Sequence, residues 1–258
     1  MAARQAPALP PISGLLIVQE GSIGVITSAN EVEPVARSIN LEIDIASLAD
    51  DVSYSLDLAA PDGTGSLSGD GKIMLQGVYT TPGTIRPSGN LQIQSWDISQ
   101  LLDLAALFAA LPSGSGLLES SVSFDGSLND GINISGSVDL QNLELSGGPL
   151  GDDRPFLEQT SVEFASMIRT DSLEISSLTL SSPLASGSLK AAVASQGPLQ
   201  FETGLRVDLQ KVASQIPQTL NLQEGLQITG GNLALDGQLL SLEGENRFRG
   251  EALVEGLA

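Results

Sequence analysis

Residues 96–128, WDISQLLDLAALFAALPSGSGLLESSVSFDGSL, occur twice in this chain in similar form. A shift of 111 residues places Asp97 on Asp208 and, without a gap, Asp125 on Asp236. In each copy a segment with helical spacing leads through a glycine-containing link into alternating, strand-like sequence. Self-similarity at a fixed spacing is typical of repeat proteins, in which each unit buries its apolar residues against a neighbour. We therefore expect the chain to be built from two repeats.

The helical segment of each copy begins at an aspartate, a residue that caps helices well. In the first copy, apolar residues at helical spacing predict a helix near 97–111, ended by Pro112 and the residues after it. In the second copy a helix is predicted near 208–220, with Pro217 interrupting it.

The loop-like stretch 147–155, GGPLGDDRP, is the best candidate for a boundary between the repeats. It predicts a first β-repeat unit at 15–150 and a second at 151–258. Residues 1–14 are rich in proline and alanine and are interpreted as a linker. The linker leads us to expect that this chain is a segment of a longer protein.

Most of the remaining sequence alternates between aliphatic and small polar residues, which predicts half-buried β-strands. The alternation slips by one position after Ile45, after Leu140 and between Ile175 and Leu178, and such slips indicate β-bulges. Residues 15–26 are interpreted as two short strands around a turn, and 32–37 as an irregular connection.

Asp-Gly pairs recur along the chain. Because this pair suits the left-handed positions of tight hairpins, we interpret all five pairs as turns rather than calcium ligands. They begin at Asp62, Asp70, Asp125, Asp130 and Asp236. Three further acidic pairs, at 31/33, 50/51 and 152/153, are interpreted as solvated loop charge rather than as a catalytic carboxylate dyad.

The composition argues against several classes of function. The chain has neither cysteine nor histidine, which removes the thiolate nucleophile, the usual general base and the commonest metal ligands. No phosphate-binding or nucleophile motif is present, so we predict a protein that is not an enzyme and that uses no cofactor and no metal. A formal charge of -20 repels phosphate backbones, so nucleic acid is not an expected partner.

Seven segments, taken in order, resemble the periplasmic β-rich region of the AsmA-like family, which includes the TamB-type envelope proteins. They cover most of residues 15–258 and read IVQEGSIGVI, INLEIDIASL, GSLSGDGKIML, LQIQSWDISQLLDLAALF, LESSVSFDGSL, INISGSVDLQNLEL and LEISSLTLSSPLASGSL. The membrane anchor and the C-terminal region that are usual in the family are missing from this sequence.

The resemblance implies a mainly β fold, in which a long curved antiparallel sheet with two short helices forms an apolar groove. It also implies a function in the cell envelope: handling or shuttling phospholipid between membranes, or supporting outer-membrane assembly. The implied location is the periplasm, with an inner-membrane anchor in the full-length protein, and the implied partners are phospholipid acyl chains, the membrane and envelope assembly proteins. The candidate groove residues are Leu91, Ile93, Val122, Phe124, Ile132, Ile134, Val138, Leu140, Leu233 and Leu235.

The alternating pattern also fits a second architecture and a second function. A sheet with one aliphatic face needs a cover for that face, and a closed sandwich or solenoid core provides one as well as acyl chains do. The alternative to a lipid-handling groove is therefore a structural or adhesive β-repeat scaffold at the cell surface.

Overall fold

The computed structural model describes residues 13–26, 31–46, 51–75, 85–106, 111–127, 129–194, 199–222, 227–242 and 245–258. Strands make up 73% of the structure, which forms one open antiparallel sheet of 13 strands with two α-helices. The prediction of a mainly β chain with an antiparallel sheet and two short helices is confirmed. The curvature of the sheet into a groove stays a prediction.

The strands follow one another along the chain. Their bounds are β1 Gly14–Ile26, β2 Val32–Ile45, β3 Asp51–Ala59, β4 Ser66–Leu75, β5 Ile85–Asp97, β6 Ser113–Ser127, β7 Gly131–Ser146, β8 Phe156–Ile168, β9 Ser172–Ser181, β10 Ala185–Ala194, β11 Leu199–Asp208, β12 Asn232–Leu242 and β13 Glu245–Glu255. The helices are α1 Ile98–Ala106 and α2 Leu209–Gln215, and a single 3-10 turn spans Gly148–Leu150. Each strand pairs with its neighbours in sequence, so that the order in the sheet is β1 to β13.

By its internal contacts the chain divides into two compact units that interleave in sequence. The first unit comprises 1–94, 120–136 and 167–171, and the second comprises 95–119, 137–166 and 172–258. The expected boundary between repeats near residue 150 stays a prediction.

Two local predictions near the start of the chain are wrong. Residues 14–26 form the single strand β1, and residues 32–37 belong to β2. The misread turn is a β-bulge: Val18 pairs with Leu41 and Gly21 with Ile39, so β1 carries one extra residue there, and Glu20 takes a positive φ of 55°. A bulge accommodates the left-handed residue without ending the strand.

The predicted slip between Ile175 and Leu178 is confirmed as a β-bulge. Leu178 pairs with Leu189 and Ile175 with Ala191, so two residues of β9 face one residue of β10. Asn142, with a φ of 52°, lies at the slip that follows Leu140. The slip after Ile45 involves residues outside the described part of the chain.

The interpretation of the Asp-Gly pairs as turns is right for two of the five. Asp62 lies in the turn between β3 and β4, where its carboxylate accepts hydrogen bonds from Thr64 N at 2.9 Å and from Thr64 Oγ1 at 2.7 Å. Asp130 lies in the turn between β6 and β7. The other three pairs, which begin at Asp70, Asp125 and Asp236, lie inside β4, β6 and β12. Within a strand the pair places a carboxylate on one face and a glycine on the other.

Both helices follow an aspartate, as predicted. Asp97 Oδ1 accepts a hydrogen bond from Ser99 N at 2.9 Å, and Asp208 Oδ1 accepts one from Lys211 N at 3.0 Å. These contacts satisfy amides that the first helical turn leaves without partners. Helix α1 is described to Ala106, and residues 107–110 of the predicted helix lie outside the described residues. Helix α2 is shorter than predicted and ends at Gln215, two residues before Pro217, because proline cannot continue the backbone ladder.

The loop at 147–155 is fastened to the segment that follows α2, and the interpretation of Asp153 as solvated loop charge is wrong. Asp153 is buried, and its carboxylate accepts hydrogen bonds from Gln218 N at 3.1 Å and from Thr219 N at 2.6 Å. Burial by itself raises the pKa of Asp153, but the hydrogen bonds from Thr219 and Gln218 outweigh it and hold the pKa below the usual 3.8. The carboxylate is therefore a structural anchor for two amides.

Because its folded-state pKa is lowered, Asp153 stabilises the fold above pH 3.8 and loses that contribution as the pH falls below this value. We expect Asp153→Asn to lower the free energy of unfolding at neutral pH. The difference between this variant and the wild type should shrink at a pH well below 3.8. Urea denaturation at both pH values measures it, with the exposed neighbour variant Asp152→Asn as the control. An equal difference at the two pH values would contradict this role for the carboxylate.

Candidate functional site

In the first unit the pairing register gathers aliphatic residues on one face, which we call the first apolar face. Residues directly opposite each other in neighbouring strands point to the same side of a sheet. One row crosses five strands and consists of Val18, Leu41, Leu56, Gly69 and Leu91. The next row consists of Leu16, Ile43, Tyr54, Gly71 and Gly89.

The other face of the first unit is polar over most of its strands. The row beside Leu56 consists of Ile17, Glu42, Ser55, Asp70 and Asn90. Its four polar members are exposed, whereas Leu41, Leu56 and Leu91 on the apolar face are half-buried. Edge strand β1 departs from this pattern, since Leu15 and Ile17 lie on the polar face and are 58% and 48% exposed.

Glycines on the first apolar face make room for aromatic rings. A Cβ at Gly71 would meet the Tyr54 hydroxyl oxygen at 2.5 Å, and a Cβ at Gly89 would meet the same oxygen and the Phe124 ring. The Tyr54 ring therefore lies across the backbone of two neighbouring strands. Burial of the hydroxyl, followed by the nearby charge of Asp70, raises the pKa of Tyr54 above its usual 10.0, so the phenol stays neutral at physiological pH.

The second unit repeats the arrangement on a second apolar face. One row crosses β9 to β13 and consists of Leu180, Gly187, Leu205, Leu235 and Ala252. Another consists of Ile175, Ala191, Phe201, Leu239 and Phe248. Phe248 lies on the edge strand and is 71% exposed. The opposite face carries polar rows, of which one consists of Thr179, Ser188, Gly204, Asp236 and Glu251.

All ten candidate groove residues lie on strands and are half-buried. Six belong to the first unit: Leu91, Ile93, Val122, Phe124, Ile132 and Ile134. Four belong to the second: Val138, Leu140, Leu233 and Leu235.

The register brings several of these candidates together on a shared face. The contact between Ser123 Oγ and Ser135 Oγ at 3.0 Å places these residues opposite each other in β6 and β7, which sets Phe124 beside Ile134. Phe124 also approaches Gly89 of β5, which is two residues from Leu91.

In the second unit, Leu233 and Leu235 lie opposite Val207 and Leu205. Val138 and Leu140 lie on β7 and are half-buried.

Sequence reasoning misses a set of residues that the register adds to the two apolar faces. Their alternation is visible in the sequence, but which strands are neighbours is not. In the first unit they are Leu16, Val18, Leu41, Ile43, Tyr54, Leu56 and Leu67, and in the second they are Leu180, Phe201, Leu205, Val207 and Leu239.

Few large apolar side chains are fully buried in either unit. Among the described residues, the buried apolar side chains are Ala36, Ile39, Val52, Ala60, Trp96, Leu118, Leu143 and Ala213. Helix α1 contacts the sheet at Gly114, where a Cβ would lie 2.8 Å from Leu102 Cδ1. Over their described extent the two helices span nine and seven residues, which is too short to cover faces that run across several strands. Both apolar faces therefore present aliphatic surface that the described residues leave half-covered.

We also searched the described residues for metal sites, membrane-spanning helices and a carboxylate dyad. The described residues contain no group of three histidine, cysteine, aspartate or glutamate residues placed to hold a metal ion, and no helix long and apolar enough to span a bilayer. The acidic pair at 152–153 is not a matched carboxylate dyad, since Asp153 is engaged by backbone amides.

Comparison with protein-family models, with curated proteins and with solved structures found no match to this chain. The geometry of the two apolar faces is therefore the structural basis for a functional conclusion.

A substitution at Gly71 tests whether the Tyr54 ring lies against the backbone there. We expect Gly71→Ala to destabilise the fold by roughly 1–3 kcal/mol, because the added methyl must displace the Tyr54 ring or the β5 backbone at Ser88. Gly14→Ala is the matched control, since nothing lies within 4 Å of a Cβ there. Thermal and urea denaturation measure both. If Gly71→Ala is as stable as Gly14→Ala, the ring does not lie on the glycine backbone.

Proposed function

We propose that the chain is a non-enzymatic part of a cell-envelope protein whose apolar faces bind phospholipid acyl chains. In this proposal the aliphatic rows line a groove that holds lipid while it is shuttled between membranes or supplied to outer-membrane assembly. The periplasm, an anchor in the inner membrane and contacts with envelope assembly proteins are parts of the same proposal. They rest on the resemblance to the AsmA-like family.

The observation that supports the proposal is that each unit has an aliphatic face that the described residues leave half-covered. Leu41, Leu56 and Leu91 lie in one continuous row, yet all three remain half-buried rather than buried. Removing aliphatic surface from water contributes about 25 cal/mol per Å², so a ligand that covers these rows is favoured. Each acyl methylene buried there contributes about 0.8 kcal/mol.

The chemistry of the faces suits acyl chains better than a protein partner. Binding hot spots between proteins are enriched in tryptophan, tyrosine and arginine. The apolar rows named above instead consist mainly of leucine, isoleucine, valine and glycine, and they contain one tyrosine, Tyr54, and neither tryptophan nor arginine. An aliphatic surface with few directional groups fits a flexible hydrocarbon chain, which needs burial but no specific hydrogen bonds.

If the protein is instead a structural or adhesive scaffold, the same faces form a closed core. A charge placed in a closed core unfolds the protein, because the ion is desolvated at a cost of several kcal/mol or more. A charge placed on a face that is open without lipid leaves the fold intact and opposes hydrocarbon binding.

We therefore expect Ile93→Asp to fold with a β-type circular dichroism spectrum but to lose co-purifying phospholipid. Ile93 is half-buried in the first apolar face, opposite Leu67. Native mass spectrometry and lipid extraction of the purified chain measure the bound lipid. The wild type should carry phospholipid, and the variant should carry at most about a tenth as much, since desolvation of the charge exceeds the roughly 1.4 kcal/mol that corresponds to a tenfold change.

Gln92→Asp is the matched control, because Gln92 is adjacent in β5, exposed on the polar face and opposite Ser68. It should keep its lipid. Unfolding of Ile93→Asp would favour the closed scaffold instead. Lipid retention by both variants, or a wild type without lipid, would refute the proposal.

A further inference from the structure

Strand β1 is one of the two edge strands of the sheet, and its first part is aliphatic on both faces. Residues 15–18, LLIV, follow one another without an intervening polar residue, and all four side chains are exposed. Leu16 and Val18 belong to the first apolar face, whereas Leu15 and Ile17 lie on the polar face. A continuous aliphatic run of this kind is typical of a strand that is covered on both faces.

The backbone of β1 is also open on one side. Because β1 pairs only with β2, its N–H and C=O groups on the far side have no strand to bond to among the described residues. Proteins usually protect such an edge with charged residues or proline. The other edge strand follows this rule, since β13 carries five charged residues in 11. Over residues 14–19 β1 has neither charge nor proline, and its single charged residue, Glu20, lies at the bulge.

The part of β1 that can accept a further strand is short and regular. Residues 14–18 pair with β2 without a shift, and the first shift follows Val18. Leu16 is the middle residue of this segment. An antiparallel copy of the same strand, related by a two-fold axis at Leu16, therefore places Leu16 opposite Leu16 and Leu15 opposite Ile17. Aliphatic side chains then meet on both faces, so the segment is complementary to itself.

The distribution of charge also favours contact between two copies at this strand. Two chains of net charge -20 repel each other, so contact is least unfavourable where acidic side chains are far apart. On the polar face the acids of the next strand are Glu42 and Asp44, which lie opposite Ile17 and Leu15. In the paired arrangement the strands that carry these acids are three strand spacings apart, or about 14 Å, which exceeds the Debye length of about 8 Å at physiological ionic strength. Repulsion across this edge is therefore largely screened.

We propose that β1 pairs with β1 of a second copy of this chain, in an antiparallel register centred on Leu16, and so joins two sheets edge to edge. Backbone hydrogen bonds between the two strands supply affinity, and the alternating aliphatic side chains fix the register. The two-fold axis is perpendicular to the sheet, so the first apolar faces of both copies lie on the same side and become continuous. The pairing does not depend on lipid binding.

Sedimentation equilibrium of the whole chain after lipid removal tests whether two copies associate. We expect the wild type to dimerise, and Ile17→Lys to raise the dissociation constant roughly tenfold or more, because the symmetric interface loses two aliphatic cross-strand pairs and gains two charges. The circular dichroism spectrum of this variant should stay β-type, since position 17 is exposed in the single chain. Leu253→Lys is the matched control: Leu253 is exposed on the polar face of the other edge strand, so this variant should dimerise like the wild type.

Cysteine cross-linking tests the register, because the chain has no cysteine of its own. A two-fold axis at Leu16 places the two Cα atoms of this residue about 4.5–5.5 Å apart, which is within the range of a disulfide. The two Ile17 positions lie on a diagonal about 7–8 Å apart, beyond the usual range of about 4.4–6.8 Å. Under mild oxidation Leu16→Cys should therefore form a covalent dimer, and Ile17→Cys should form much less of it, although both positions are exposed.

Three results would overturn the assignment. They are a wild-type chain that stays monomeric at high protein concentration, a dimer that Ile17→Lys and Leu253→Lys weaken to the same extent, and a covalent dimer that forms as readily through Ile17→Cys as through Leu16→Cys. The first result would leave the β1 edge to a strand of a different protein. Ile93→Asp should leave the dimer intact, so failure here is distinguishable from failure of the proposed function.

Discussion

The register of the antiparallel ladder is the constraint on which the other features depend. Once Leu56 pairs with Leu41 on one side and with Gly69 on the other, every second residue of three strands is committed to the same face. A slip by one residue would move Glu42 and Asp70 onto the aliphatic side of the sheet. Their carboxylates would then lie among leucine side chains. The same logic holds in the second unit, where Leu205 is paired with Gly187 and Leu235.

Bulges and glycines keep apolar and polar side chains on opposite faces along strands of ten residues or more. The extra residue of β9 between Ile175 and Leu178 returns both side chains to one face although their spacing is odd. Glycine at position 71 gives the Tyr54 ring a place against the backbone, so that an aromatic residue fits an otherwise aliphatic surface. On the polar faces, acidic side chains carry like charges, and like charges oppose edge-to-edge association of such sheets.

The sequence predicts which residues share a face of one strand, because that alternation is local. It does not predict which strands are neighbours or which residues lie opposite each other. Alternation between 132 and 140 places Ile132 and Ile134 on one face of one strand, and the slip at Ile175 predicts the bulge that the structure has. The Asp70-Gly71 pair misleads, since the local turn preference of Asp-Gly is overridden when pairing on both sides continues the strand. The row that joins Glu202, Gln238 and Arg249 could not be foreseen, because its first and last residues are 47 positions apart in sequence.

In the function proposed above, the apolar faces are open to solvent without ligand and are covered by acyl chains when lipid is present. The chain has no cysteine, so single substitutions Ile93→Cys and Gln92→Cys can be labelled without background. The decisive measurement is the rate of maleimide labelling of each variant after lipid removal and after phospholipid is added back. We expect both variants to react in lipid-free protein and phospholipid to protect only Ile93→Cys. A folded Ile93→Cys variant that stays unreactive without lipid, or that reacts equally fast with lipid, would contradict an open face that binds acyl chains.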